Sequence, residues 1–199
     1  MSVTAKEVKA LRDRTGAGMM DCKGALQETS GDLEAAVDLL RSKGAAKAAK
    51  RADKATNEGT VGYYLHHGGR IGVIVELNCE TDFVANTDEF CGLAKDLAMH
   101  VAAANPIAVR PEDLPPELVE RERQVYLEQV REEGKPEAIR EKIVDGKMKK
   151  FFEESALLRQ KFVKNPNQTI DDLVTEITAK TGERIRVARF ARLEVGVMG

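Results

Sequence analysis

The residues of this chain best placed to act on something else are Glu80-Thr81-Asp82-Phe83-Val84-Ala85-Asn86. A carboxylate and a bulky aromatic stand side by side, after an apolar strand pattern and before an amphipathic helix pattern. Connections held by a scaffold often carry function. Residue type leaves two readings of Phe83 open. It plugs the gap between strand and helix, as aromatics commonly do, or it stands out as a hydrophobic ring for a partner. Val84 already offers an apolar anchor next to it. Asp82 equally reads as a turn residue bonding the backbone.

Bond-making chemistry finds less support. A phosphate-cradling Gly-x-x-x-x-Gly-Lys-Ser/Thr loop is missing from the sequence, so the chain is not itself a P-loop GTPase. Arg14-Thr15-Gly16-Ala17-Gly18-Met19 has glycines, but no strand pattern precedes it and no dinucleotide fingerprint is completed. The three cysteines, Cys22, Cys79 and Cys91, lack Cys-x-x-Cys spacing, and His66, His67 and His100 are not paired as zinc ligands. A catalytic cysteine with a distant histidine is conceivable, but lone thiols in apolar elements are as a rule packing residues. Neither enzymatic activity, a metal nor another cofactor is expected.

The elements that would position these residues fit a chain of 199 residues, enough for one mid-sized or two small domains. Hydrophobic residues make up 42% and charged residues 32%, the profile of a solvated globular protein. With 31 basic and 33 acidic side chains the net charge is -2. That is no field for phosphate backbones. Few aromatics (5%, no Trp) also argue against stacking on nucleic acid. No apolar stretch reaches the roughly 20 residues a membrane helix needs. The start, Met1-Ser2-Val3-Thr4-Ala5-Lys6-Glu7, has neither a signal-peptide run nor transit-sequence character. An odd number of scattered cysteines gives no disulfide framework. A cytoplasmic location is expected, with no membrane and no nucleic acid as partner.

Along the chain, residues 1–44 read as three short helices. Thr4 and Glu7 make a capping-box pattern flanked by Val3 and Val8 as a staple. Ala5, Val8 and Leu11 face inward on the first helix. Gly16 and Gly18 break the chain. Met19, Cys22 and Leu26 form the inward stripe of the second helix, and Met20 falls at its rim. Ser30-Gly31-Asp32 supplies a turn and cap. Leu33, Ala36, Val37 and Leu40 mark the third helix, with a stop at Gly44. Residues 45–57 are Ala- and Lys-rich and read as a solvated helical or frayed linker. Its Lys47, Lys50, Arg51 and Lys54 are either plain solvation or contacts to an acidic partner.

Residues 60–79 look like a β-hairpin. Val61, Tyr63 and Leu65 alternate, as do Ile71, Val73, Val75 and Leu77, around the turn His67-Gly68-Gly69-Arg70. Asn86 is expected to cap a helix bearing Phe90, Leu93, Ala94, Leu97 and Val101, ended by Asn105-Pro106. Gly134-Lys135-Pro136 divides an antiparallel helical hairpin of about residues 116–154, whose returning helix carries Ile139, Ile143, Met148 and Phe152. Thr169 caps a short helix with Leu173 and Ile177, stopped by Gly182. A last strand spans 184–195, with Ile185, Val187, Ala191, Leu193 and Val195 on one face, interrupted by Arg189. The expected class is α+β: a three-helix domain (1–44), a linker (45–57), and a core domain (58–199) with a small antiparallel three-stranded sheet packed with helices and the hairpin. So small a sheet needs cover on its faces.

The segments Thr81-Asp82-Phe83-Val84-Ala85 and Leu11-Arg12-Asp13-Arg14-Thr15-Gly16-Ala17-Gly18-Met19-Met20-Asp21-Cys22-Lys23 closely resemble those of the bacterial elongation factor Ts family, over nearly the whole chain. That resemblance implies a guanine-nucleotide exchange factor for the translation GTPase elongation factor Tu. It implies a ubiquitin-associated-like N-terminal domain that grips the partner's G domain, making Arg12, Met19 and Met20 contact residues. It implies that Thr81, Asp82, Phe83 and Val84 enter the partner, with the aromatic beside the magnesium and phosphate region. His67 and Gly68 become possible further contacts, although a plain turn is an equal reading. Longer family members have two related core subdomains. This chain resembles the short form, and a homodimer packed sheet on sheet would supply the second half. From residues alone, a plain interaction adaptor stays open as the rival.

Overall fold

The computed structural model describes residues 3–197; Met1, Ser2, Met198 and Gly199 lie outside the described residues. In chain order the elements are α1 (Ala5–Thr15), α2 (Met19–Glu28), α3 (Leu33–Ala49), β1 (Glu58–Leu65), β2 (Ile71–Cys79), α4 (Asp82–Ala85), α5 (Asp88–Ala104), α6 (Pro116–Glu132), α7 (Glu137–Ser155), β3 (Lys161–Phe162), β4 (Asn165–Thr169), α8 (Ile170–Thr181) and β5 (Arg186–Glu194). An antiparallel sheet has the order β1-β2-β5, and β3 pairs with β4 separately. The class is α+β, as the patterning implies. The chain divides into two compact units. One takes residues up to Thr60, Leu77–Gly92 and Asp172–Arg186, and the other takes Val61–Glu76, Leu93–Asp171 and the residues from Val187 onward.

In the first unit, local chemistry sets the helix ends. Thr4 accepts the Glu7 N–H at 3.3 Å, while the Glu7 carboxylate accepts the Thr4 N–H at 2.7 Å. The Thr4 N–H first, and then the Thr4 hydroxyl, which donates to the same carboxylate at 2.8 Å, hold the Glu7 carboxyl below its usual pKa. Gly16 ends α1 with φ 65°, a left-handed conformation that glycine adopts without steric penalty. Asp32 opens α3 by accepting the Ala35 N–H at 3.0 Å. The three helices enclose Val8, Leu11, Cys22, Ala25, Leu26 and Ala36. Ala5, expected inside, is exposed. Met19 is 45% exposed, so the inward stripe of α2 is Cys22, Ala25 and Leu26. The expected stop at Gly44 is absent, because α3 runs on to Ala49. Gly44 is buried, and a Cβ there would stand 3.3 Å from the Ala179 Cβ of α8. That glycine serves close helix packing and not termination.

In the second unit the sheet has one covered and one open face. On β2, Val73 and Val75 are buried. On β1 the inward position is Gly62, where any Cβ would collide with the Ala94 backbone of α5. Val61, Tyr63 and Leu65 therefore point to the open side, with Ile74, Ala191 and Leu193 likewise exposed. Arg189 interrupts this apolar face as expected, and its guanidinium meets Glu76 at 2.7 Å. The last strand is shorter than expected at both ends.

The helices α6 and α7 form the expected hairpin around Val130, Val144 and Met148. Ile139 is exposed instead, and Val144 takes the buried seam. Residues 161–169, which carry no strand signal, pair as β3 and β4. The end of α5 is tied to them through His100: its Nε2 lies 2.9 Å from Gln160 Oε1, and its Nδ1 accepts the Val163 N–H at 3.3 Å. Gln160 in turn donates to the Glu154 carbonyl at 2.6 Å. Among the described residues no helix is long and apolar enough to cross a membrane.

Candidate interaction site

The Phe83 segment is a single helical turn and not an open loop. Thr81 caps α4, its hydroxyl accepting the Val84 N–H at 3.4 Å. Asn86 closes it, donating its backbone N–H (3.1 Å) and side-chain amide (2.8 Å) to the Asp82 carbonyl. Asn86 is thus the C-terminal cap of α4, not the opening cap of α5. Thr87 takes that role, accepting the Phe90 N–H at 3.3 Å. Successive residues of a helical turn are about 100° apart. With Val84 and Ala85 buried, the ring of Phe83 is driven outward and is 79% exposed. Thr81 and Asp82 are exposed beside it. Val84 is the inward anchor of the turn.

Charged groups brace the turn from behind. The Glu183 carboxylate accepts the backbone N–H of Glu80 at 3.2 Å and of Thr81 at 3.0 Å, and the Thr81 hydroxyl at 2.7 Å. The Glu80 carboxylate accepts the Arg184 N–H at 2.7 Å and the Arg51 guanidinium at 2.7 and 2.9 Å. Chiefly the Arg184 N–H, and then Arg51, hold the Glu80 carboxyl below its ordinary pKa. The Arg184 guanidinium donates to the Lys54 carbonyl at 2.5 Å. Local sequence patterns carry little sign of this brace. Its partners lie far apart in the chain, and the only local hint is a charged pair entering a strand directly after the helix stop Gly182.

Arg12, Met19 and Met20 lie around the α1–α2 turn. Arg12 is exposed, and Met20 is 76% exposed. Lys180 draws this turn and the base of the Phe83 segment to one side chain. It lies so close to Gly16 that a Cβ there would collide with it. Its ammonium pairs with Glu176 at 2.9 Å and with Glu89, in the first turn of α5, at 3.2 Å. Burial opposes the Lys180 charge, but the two carboxylates outweigh it and keep the pKa above its usual value. The first unit therefore holds both the Phe83 turn and the methionine turn. His67 and Gly68 are exposed at the β1–β2 tip in the second unit, with Gly68 at φ 85°.

The thiols of Cys22 and Cys79 are buried, and burial raises their pKa values. Such thiols pack and do not react. Exposed apolar side chains thus stand on a braced turn and at a helix start. Sequence comparison gives the chain a family. The profile described as Elongation factor TS matches residues 22–197. The Elongation factor Ts of Desulfotalea psychrophila is 59% identical over 196 residues, covering 98% of this chain and 100% of that protein. The protein of the same name from Syntrophobacter fumaroxidans is 58% identical over 196 residues, covering 98% of each. That of Thermosipho melanesiensis is 53% identical over 194 residues, covering 98% of this chain and 99% of its own length. The chain belongs to the elongation factor Ts family, and with it to translation elongation in protein biosynthesis.

Proposed function

We propose that this chain is a guanine-nucleotide exchange factor. It binds GDP-loaded elongation factor Tu, disturbs the magnesium and phosphate site of that GTPase, and promotes GDP release so that GTP can bind. The observation that carries the proposal is the Phe83 ring, 79% exposed on a one-turn helix whose next residue, Val84, is buried. An aromatic held outward by its own backbone is suited to enter a partner. Thr81 and Asp82 accompany it, with Val84 as the seat beneath. Arg12, Met19 and Met20 grip the partner from the ubiquitin-associated-like helices, and His67 with Gly68 offers a further contact.

Magnitudes decide how the work is shared. Accelerating release ten-thousand-fold takes about 5.5 kcal/mol of differential stabilisation. Burying one Phe supplies about 1.5–3 kcal/mol. The remainder has to come from a broad interface that fits the nucleotide-free GTPase better than the loaded one, which the methionine turn helps to build. Coupling is reciprocal: a factor that weakens GDP binding is itself weakened by GDP in the same ratio. No covalent bond is made or broken, so the chain is not an enzyme in this role, and its place of action is the cytoplasm.

The open sheet face supports a homodimer. Val61, Tyr63, Leu65, Ile74 and Leu193 are exposed on three neighbouring strands, and contiguous apolar patches of this kind mark interaction sites. A second copy packed sheet on sheet would cover them.

The test is the dissociation of fluorescent GDP from elongation factor Tu, with and without the chain. A raised off-rate is expected. Binding with an unchanged off-rate would make the chain an adaptor and overturn the proposal.

A further inference from the structure

We infer that Glu183 is a positioning residue for exchange, one that fixes the Phe83 turn without itself meeting the partner. The inference rests on the exchange role proposed above and adds a residue to that site. Its starting point is the hydroxyl of Thr81. A hydroxyl has one proton to donate and lone pairs to accept with. Here the proton goes to the Glu183 carboxylate at 2.7 Å, which turns a lone pair towards the Val84 N–H at 3.4 Å. The carboxylate thus sets the cap that starts α4, and α4 sets the direction of the Phe83 ring. The other carboxylate oxygen collects the N–H groups of Glu80 and Thr81 at 3.2 and 3.0 Å. One side chain therefore satisfies three donors on the two residues that lead into the turn. Bonds to a charged acceptor are the stronger kind.

The neighbouring contacts run the same way. The N–H of Arg184, next to Glu183 in the chain, reaches Glu80 at 2.7 Å, and Arg51 reaches it from the segment after α3. The entry to β5 and the exit of α3 both end on the base of the turn. Since α3 belongs to the helices that carry Met19 and Met20, the brace also relates the ring to the methionine turn. A ring fixed before binding pays less ordering entropy when it enters a partner.

The experiment compares wild type, Phe83→Ala, Glu183→Ala, Glu183→Gln and the double variant Phe83→Ala/Glu183→Ala. Release of fluorescent GDP from elongation factor Tu is followed over a range of factor concentrations. Exchange of the Val84 amide proton is measured in each free chain. Glu183→Ala should lower the maximal release rate about tenfold, the effect of losing one to two net hydrogen bonds. The half-saturating concentration should change much less. Glu183→Gln keeps an acceptor oxygen and an amide that can meet the Thr81 hydroxyl, so it should recover most of the rate. In the Phe83→Ala background, adding Glu183→Ala should cause no further loss, the signature of two residues acting as one. The Val84 amide should exchange about tenfold faster in Glu183→Ala. The inference is overturned by an unchanged Val84 exchange rate, by a wild-type release rate in Glu183→Ala, or by a full further loss in the double variant. If Phe83→Ala alone releases GDP as fast as wild type, the exchange role itself fails; the Val84 measurement still decides whether Glu183 holds the turn. Should Glu183→Ala not fold, Glu183→Asp, which withdraws the carboxylate by one methylene, serves in its place.

Discussion

At the scale of single residues, Phe83 and His100 show opposite uses of a ring. The Phe83 ring lies almost wholly in solvent, so it adds little to the stability of its own chain. Phe83→Ala is expected to leave the unfolding free energy within about 0.5 kcal/mol of wild type, measured by thermal denaturation. A larger loss would mean that the ring is a core residue after all. His100 is fully buried, with both ring nitrogens engaged. Its Nδ1 accepts the Val163 N–H, which only a neutral ring can do. Burial lowers its pKa, against a smaller opposing effect of Gln160. The unfolded chain takes up this proton near pH 6.5, and the folded chain takes it up only at lower pH. The contribution to stability is therefore complete above pH ~6.5 and is lost as pH falls below it. Urea titrations at pH 7 and pH 5.5 should show a drop in stability, part of which disappears in His100→Asn.

At the scale of elements, glycines decide which helices can approach what. Gly16 combines φ 65° with Lys180 lying where a side chain would be. Gly16→Ala should cost about 1–2 kcal/mol in urea unfolding, from backbone conformation and the displaced lysine. Gly62→Ala should cost more, because the obstacle is the Ala94 backbone, which cannot swing aside. A loss below about 0.5 kcal/mol in Gly62→Ala would contradict the close approach of α5 and β1. These elements also explain how far the sequence could be read. The Thr4–Glu7 box, the Asp32 cap and the helical hairpin rest on neighbours in the chain, and local patterns revealed them. Gly44 misled because a glycine that lets two helices touch looks the same in sequence as one that ends a helix. β3 and β4 leave no mark in the sequence because Asn165-Pro166-Asn167 has no strand propensity. Their pairing depends on the buried Phe162 and on the Ile170 N–H bond to the Gln160 carbonyl at 3.0 Å.

At the scale of the whole molecule, alternation in β1 identified two faces but could not say which one is covered. Only the collision at Gly62 makes Val61, Tyr63 and Leu65 the open side. Tyr63 and Leu193 are 74% and 77% exposed there. Light scattering at micromolar concentration should find a dimer, and Tyr63→Glu with Leu193→Glu should give a folded monomer, since charges on an apolar interface are not tolerated. A monomeric wild type would contradict the sheet-on-sheet assembly. In the same way Thr81, Asp82 and Phe83 were legible as a unit from residue type and resemblance, whereas their support by Glu183, Glu80 and Arg51 spans more than a hundred residues and needed the fold. In the proposed role, the outward Phe83 ring on its braced turn opens the nucleotide site of the GTPase. The most direct test is fluorescent GDP release from elongation factor Tu at saturating concentrations of wild type and of Phe83→Ala. Wild type should accelerate release, and the variant should still bind but lose about tenfold to a hundredfold of that acceleration, matching the 1.5–3 kcal/mol of one buried ring. Equal release rates for the two proteins would contradict the claim.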